Sequence, residues 1–176
     1  LELSGDNLKM CVSTFSPNPA DADLLLYNFD LESGTLSGRQ LLNVSNQIVL
    51  GLEFSPDATK IYYQTNTTNI STLGRYDLTT STNQIIDNTR TRYQTDPELG
   101  GNGRIYIGGN YVESYISEIA DPNNPNIANI QYTRNAYLVD VAGCRPGLTN
   151  TIDGEPIGTS NVPNQIDFTY LALPGC

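Results

Sequence analysis

The chain has 176 residues, of which 38% are hydrophobic, and 19 acidic residues against 9 basic ones give a formal net charge of −10. That balance disfavours nucleic-acid binding, because phosphate recognition needs a basic surface. The absence of histidine removes the commonest general base and zinc ligand, and with them every Ser-His or Cys-His arrangement. Short apolar runs, punctuated by Asn, Thr, Ser, Gly and Pro, predict an all-β protein without membrane insertion.

The first predicted unit, about residues 1–43, contains two pairs of strands. Its strands are expected at residues 1–3, 9–14, 24–31 and 36–42. The turn Ser4-Gly5-Asp6-Asn7 joins the first pair, and a polar segment that contains Asp21 and Asp23 separates the two pairs. Apolar strands flanking Gly-, Asp- and Asn-rich turns are typical of antiparallel hairpins.

The second and third units, about residues 44–92 and 93–138, repeat this order. The strands of the second are predicted at residues 49–54, 60–65, 73–78 and 83–87. Those of the third are predicted at residues 97–99, 104–108, 115–119 and 127–132, with a Pro- and Asn-rich loop at 121–126. A closing tail, residues 139–176, holds one or two last strands between 162 and 173.

An internal repeat links the three units. Leu1-Glu2-Leu3-Ser4-Gly5-Asp6 returns as Leu52-Glu53-Phe54-Ser55-Pro56-Asp57, and a shorter copy begins at Glu98-Leu99-Gly100. A period of roughly 40–50 residues is typical of propeller blades. We therefore predict a β-propeller of four-stranded antiparallel blades, with three recognisable blades and a partial fourth in a single domain of residues 1–176. Since rings have about four to eight blades, we expect the chain to be part of a larger ring or polypeptide.

The repeat resembles a known group of propeller sequences. Gly51-Leu52-Glu53-Phe54-Ser55-Pro56-Asp57, followed by Lys60-Ile61-Tyr62, is similar to the G-x-E-F-S-P-[DN]-G-x-x-[LI]-Y motif of WD-like and YVTN-type propeller repeats. Ala58 stands where that motif has Gly. Such repeats occur in large secreted Bacteroidota proteins of the group with gliding-motility-associated C-terminal domains. The resemblance implies export by the type IX secretion route, a place at the cell surface, and an adhesion or carbohydrate-binding role without catalytic residues.

Glu2, Glu53 and Glu98 occupy equivalent positions beside the innermost strands. In a closed ring they would surround the central channel and could hold a hard cation such as Ca²⁺, although the fold requires no cofactor. The alternative, favoured by the spacing, is that each pairs with the basic residue after its own turn. Those basic residues are Lys9, Lys60 and Arg104.

The Asx residues of the tight turns have a simpler explanation. Asp6, Asp57 and Asn102 are expected to accept a hydrogen bond from the backbone two residues further on, which accounts for the residue type without a ligand.

The longer polar loops are the expected binding elements, because propeller loops on one face commonly recognise partners. The residues singled out are Asp21, Asp23, Tyr111, Tyr115, Asp121 and Asn123. Tyr62 and Tyr106 are expected to pack between blades instead.

The odd number of cysteines allows one free thiol and one disulfide. Cys11 lies in an apolar strand and is expected to be buried and free. A disulfide between Cys144 and Cys176 would tie down the tail, and the sequence leaves open whether it forms.

These features favour a non-catalytic binding or scaffold module of an extracellular bacterial surface protein, whose partners are proteins or glycans at the cell surface. The first alternative is a structural subunit that completes a ring or filament with the blades of other chains. A lactonase-like propeller hydrolase is less favoured, because histidine is absent and the sequence shows no clustered nucleophile-and-base pair.

Overall fold

A computed structural model describes residues 1–14, 24–44, 48–66, 70–90, 96–108 and 115–138. These residues form twelve strands and one short 3-10 helix. The strands are β1 (Glu2–Leu3), β2 (Lys9–Ser13), β3 (Leu24–Asp30), β4 (Thr35–Leu42), β5 (Ile48–Phe54), β6 (Lys60–Asn66), β7 (Ser71–Asp77), β8 (Thr82–Arg90), β9 (Pro97–Leu99), β10 (Ile105–Gly108), β11 (Tyr115–Ile119) and β12 (Tyr132–Leu138). The 3-10 helix is Ile127–Asn129. The all-β prediction is confirmed for the described residues.

The strands form three separate four-stranded sheets, each with its strands in chain order. The first sheet is β1–β4, the second β5–β8 and the third β9–β12, and every pairing is antiparallel. The three predicted units therefore correspond to the three sheets. The closed ring and the partial fourth blade remain predictions, and the expected strands between 162 and 173 lie outside the described residues.

The sheets pack face to face because both faces of the second sheet are apolar. Along β6, Ile61 and Tyr63 face the first sheet, where they join Cys11, Leu24 and Leu26 in one buried cluster. Tyr62, the residue between them, faces the third sheet and belongs to the second cluster. The other buried members of that cluster are Leu73, Ile105, Ile107, Ile119 and Ile130. The period of two along a strand sends alternate side chains to opposite neighbours.

Gly74 permits one of these contacts. It lies directly across from Tyr63 in the β6–β7 pair, and a Cβ atom at Gly74 would collide with the Tyr63 ring. The Tyr63 hydroxyl reaches Asn83 on β8, whose side-chain amide donates to the Val44 carbonyl at the end of the first sheet. The ring thus fills space that a side chain at position 74 would occupy.

The strand predicted at residues 127–132 is wrong at its start. Asn126 accepts a hydrogen bond from the Ala128 amide at 3.0 Å and begins the 3-10 helix. Ile130 is buried at its end, and Gln131 adopts a left-handed φ of 55°. Ile130 packs with residues of the second sheet, and β12 begins only at Tyr132.

Candidate functional site

The equivalent hairpin turns of the three sheets are held by Asx side chains, as predicted. Asp6 accepts from the Leu8 amide at 3.0 Å, Asp57 from the Thr59 amide at 3.1 Å, and Asn102 from the Arg104 amide at 3.2 Å. Although partial burial raises the pKa of Asp57, hydrogen bonds from Ser55 and Thr59 outweigh it and lower that pKa overall. These side chains have a local structural role.

Glu53 joins the innermost strands of the second and third sheets. Its side chain is 1% exposed. One carboxylate oxygen accepts from the Phe54 amide at 2.7 Å and the other accepts from the Leu99 amide on β9 at 2.8 Å. A buried carboxylate that receives two backbone N–H groups is well satisfied without a cation.

Two of the three basic residues after the turns, Lys60 and Arg104, have acidic partners other than the repeated glutamates. Lys60 Nζ lies 3.7 Å from Asp57 Oδ2 in its own turn. Arg104 Nη1 lies 2.5 Å from Glu118 Oε1 across the third sheet. The structure therefore gives Glu53 an interblade role that the predicted Glu–Lys pairing did not anticipate.

The cation site predicted at Glu2, Glu53 and Glu98 receives no support. Among the described residues, which include all three glutamates, no group of three His, Cys, Asp or Glu side chains is arranged to hold a metal ion. Both oxygens of Glu53 accept from backbone amides. A cation held by the glutamates of a closed ring remains a prediction.

The loop of residues 121–126 is fastened to the second sheet. The buried Tyr62 hydroxyl donates to the Pro122 carbonyl at 2.8 Å. The guanidinium of Arg75, also buried, donates to the Asn124 carbonyl at 2.6 Å and to the Pro125 carbonyl at 3.0 Å. The loop thus has an intramolecular role that its selection as a binding element missed.

Asp121 and Asn123, the two residues selected within that loop, also make contacts inside the molecule. Asp121 accepts from the Asn124 side chain at 2.9 Å, and Asn123 accepts from the Asp57 amide at 3.2 Å. Asn123 is exposed, whereas Asp121 is half-buried. Both side chains therefore help to fix the loop, and partner binding by either remains a prediction.

Asp87 makes a third connection between the second and third sheets, at their outer strands. It is 8% exposed and accepts from the Tyr132 hydroxyl at 3.0 Å and from the Thr89 amide at 2.9 Å. Burial raises its pKa, but hydrogen bonds from Thr89 and Tyr132 lower it overall. Glu53, Tyr62, Arg75 and Asp87 together form a set of polar contacts from the inner to the outer strands, which we call the polar row.

The predicted packing of Tyr62 between two sheets is confirmed, whereas that of Tyr106 stays a prediction, since its ring contacts Tyr137 of its own sheet. Tyr62 and Tyr63 are completely buried, and burial raises the pKa of each to about 12. Tyr106 is 4% exposed, and its ring lies 6.1 Å from that of Tyr137. Tyr115, selected for binding, is 39% exposed at the first position of β11.

Several selected residues lie outside the described residues, namely Asp21, Asp23, Tyr111, Cys144 and Cys176. The binding role of the first three and the disulfide between the last two remain predictions. Cys11 is confirmed as a buried free cysteine, and burial raises the pKa of its thiol to about 12.

Sequence reasoning missed Arg75, Glu118 and Asp87. Arg75 and Glu118 hold equivalent positions, since Arg75 pairs with Tyr62 and Glu118 pairs with Tyr106. An isolated charge between apolar residues of a strand, as in Leu73-Gly74-Arg75-Tyr76, was the available signal. In a strand buried on both faces, such a charge must find hydrogen-bonding partners within the molecule.

Comparisons with known proteins support the fold alone. No protein-family model matches the chain, and no curated protein matches it. Among solved structures, TolB from Acinetobacter baumannii is similar, with a TM-score of 0.51 and 19% sequence identity over 73% of this chain. The match spans 30% of that protein's length, and its structure includes a propeller domain. No helix in the described part is long and apolar enough to cross a bilayer. The likeness to TolB is consistent with sheets stacked as propeller blades.

Proposed function

We propose that the chain is a non-catalytic, propeller-type binding or scaffold module of an extracellular bacterial surface protein, with a role in adhesion or assembly. The fold comparison supports the propeller-type scaffold, and the resemblance of the repeat to secreted Bacteroidota propellers supports the cellular location. The residues of the described sheets support the absence of catalysis.

One observation carries the proposal: the buried charged side chains of the described residues are held by partners within the molecule. They are Glu53, Lys60, Arg75, Asp77, Asp87 and Glu118. Asp77, for example, accepts from the Thr79 and Thr80 amides at 2.9 and 3.1 Å. Glu118 accepts from Arg104 and from the Tyr137 hydroxyl. Groups committed to such contacts hold sheets and turns together, whereas an acid or base must face its substrate.

The ligand surface that we propose lies at the end of the sheets opposite to the hairpin turns. In the second and third sheets these turns are neighbours, because the Asp57 amide meets Asn123 and a Cβ at Gly103 would lie 4.0 Å from Pro56. The connections that follow β6 and β10 consequently leave from the other end. Tyr115 begins β11 at that end, next to the segment that contains Tyr111.

Binding to glycan and protein arrays tests this proposal. The purified chain should bind saturably to a surface glycan or protein, and a Tyr111→Ala/Tyr115→Ala variant should bind at least about tenfold more weakly, since tyrosines often dominate contact energy. A Glu32→Ala/Ser33→Ala variant, altered in an exposed turn at the opposite end of its sheet, is the matched control. Equal losses in both variants would contradict the assigned surface. Turnover of a lactone substrate by the same preparation would contradict the non-catalytic role.

A second candidate, a structural subunit completed by other blades, is favoured by one observation. The face of the first sheet that points away from the second sheet is apolar and partly exposed, with Leu36 at 45% and Leu41 at 47%. Neighbouring exposed apolar side chains on one face of a sheet can mark an interaction surface.

A further inference from the structure

The internal repeat assigns an equivalent position in every sheet to four apolar residues. In the second sheet they are Phe54, Ile61, Tyr63 and Tyr76; in the third, Leu99, Ile105, Ile107 and Ile119; in the first, Leu3, Met10, Val12 and Tyr27. Each set lies on one face of its sheet, because the members occur at alternate positions or directly across from one another. We call this the backward face, since it points to the preceding sheet.

Two of the three backward faces are buried in the structure. Phe54, Ile61 and Tyr63 are 0% exposed against the first sheet. Ile105, Ile107 and Ile119 are likewise 0% exposed against the second sheet. The surface that covers a backward face is in both cases the opposite, forward face of another four-stranded sheet.

The third backward face, on the first sheet, is only partly covered. Leu3, Met10, Val12 and Tyr27 are each half-buried, although their equivalents are almost all fully buried. Leu25 and Phe29 alternate with Tyr27 on the same face, and Leu36 and Leu41 extend it, since Leu36 pairs with Phe29 and Leu41 pairs with the buried Leu25. The residues named on this face are uncharged, and the nearest charged residue on β4 is Arg39, in the bulge opposite Tyr27.

We propose that the backward face of the first sheet docks a further four-stranded antiparallel blade with an aliphatic forward face, supplied by polypeptide outside residues 1–176. We expect this contact to resemble the one between the first and second sheets. There Cys11, Leu24, Leu26 and Leu42, on the forward face of the first sheet, cover the second sheet. This inference rests on the second candidate function, the structural subunit, and names its partner surface.

A second copy of the chain fits this face less well. Head-to-tail association would bring the forward face of the partner's third sheet onto it, and that face carries the Glu118 carboxylate and its Arg104 partner. Aliphatic side chains would take water away from this ion pair and offer it no hydrogen bond in return, so the contact would be unfavourable. The occupant is therefore a blade with an uncharged forward face.

Met10 is the single methionine of the chain and lies within this face. Its rate of oxidation by hydrogen peroxide therefore shows whether another surface covers the face. We expect Met10 of the purified 176-residue chain to be oxidised nearly as fast as free methionine. In the native polypeptide isolated from its source, Met10 should be oxidised at least about tenfold more slowly. This lower rate should persist when the protein is diluted, because the covering blade belongs to the same polypeptide. Mass spectrometry of the peptide that contains Met10 gives both rates.

Three results would overturn the proposal. Equal oxidation in both preparations would show that nothing covers the face, although a scaffold role through other surfaces would survive. Protection that disappears on dilution, with a dimer in sedimentation, would identify a second copy as the occupant. Protection in the monomeric 176-residue chain would show that its own residues cover the face.

Lysine substitutions at equivalent positions provide the matched control. Val12→Lys should leave the melting temperature of the 176-residue chain nearly unchanged, since its side chain can reach water, and should abolish Met10 protection in the native polypeptide. Ile107→Lys, at the same position in the third sheet, should prevent cooperative folding because the site is completely buried. If Val12→Lys unfolded the isolated chain as Ile107→Lys does, or left Met10 protected in the native polypeptide, the docking proposal would fail.

Discussion

At the scale of single residues, the interface between the second and third sheets depends on buried polar groups whose partners lie in the other sheet. Arg75 is fully buried and donates to two carbonyls of the 121–126 loop, while Gln84 receives its remaining guanidinium contacts. Such a group stabilises only while every partner is in place, because each carbonyl left without a donor keeps its desolvation penalty. The polar row therefore fixes how the third sheet docks on the second.

Replacing Arg75 should be one of the most damaging single changes in the described sheets. We expect Arg75→Met to lower the free energy of unfolding by about 3–5 kcal/mol, since it removes at once the charged donor of two loop carbonyls and of Gln84. Arg134→Met is the control: this arginine is partly exposed beside Asp87, so its loss should change stability by less than about 1 kcal/mol. Urea denaturation followed by circular dichroism measures both. Similar losses for the two variants would show that burial of Arg75 does not determine its contribution.

The buried tyrosines predict a loss of stability in alkali. Burial raises the pKa of Tyr62 and Tyr63 to about 12, whereas an unfolded tyrosine titrates near about 10. Their contribution is therefore complete below about pH 10 and falls as the pH rises toward 12, because only the unfolded state ionises in that window.

The urea midpoint measured across this range tests the tyrosine prediction. It should fall with pH more steeply for the original chain than for a Tyr62→Phe variant. Tyr115→Phe, which changes an exposed ring, should keep the original slope. Identical slopes for all three proteins would contradict burial of the Tyr62 hydroxyl.

At the scale of elements, the turns repeat the same backbone conformation with different residues. Gly34 and Ser81 end equivalent turns with left-handed φ values of 67° and 55°. Asp30 and Asp77 hold these turns by accepting two backbone amides each. Glycine adopts this conformation without steric strain, whereas a serine side chain opposes it.

Replacing Gly34 by serine and replacing Ser81 by glycine should therefore change the stability of the chain in opposite directions. Gly34→Ser should destabilise the chain by about 1 kcal/mol, and Ser81→Gly should stabilise it by up to about 1 kcal/mol. A Cβ at Gly34 would meet no atom within 4 Å, so the backbone alone decides the result. Thermal unfolding of both variants measures the difference. Changes of the same sign would contradict the φ assignment.

The sequence predicted elements better where the repeat was regular. The order Leu-Glu-Phe-Ser-Pro-Asp before β6 identified both strands and their Asx turn, because local chemistry determines such a hairpin. The segment from Asn126 to Tyr132 was misassigned, because Ile130 packs against residues of the second sheet that are distant in the sequence. Local sequence patterns do not reveal such a contact. Arg75 and Asp87 were missed for the same reason: their partners lie about 45–50 residues away, in the next blade.

At the scale of the whole molecule, three sheets stack through two different interfaces. The first is mainly apolar, with Cys11, Leu24 and Leu26 against Phe54, Ile61 and Tyr63. The second combines an isoleucine-rich cluster with the polar row. Face-to-face packing of this kind makes each sheet dependent on its neighbours, so unfolding should be cooperative across both interfaces.

The reactivity of the Cys11 thiol tests the stacking most directly, in a Cys144→Ser/Cys176→Ser background where it is the remaining cysteine. Cys11 is 0% exposed between the first and second sheets, and burial raises the pKa of its thiol to about 12. Labelling with a thiol-specific disulfide reagent at about pH 8 should be at least about a thousandfold slower than for a free thiol, and should become fast only at the denaturant concentration that unfolds the sheets. Rapid labelling in native buffer, with the circular dichroism spectrum of the sheets unchanged, would show that the first and second sheets are not packed face to face.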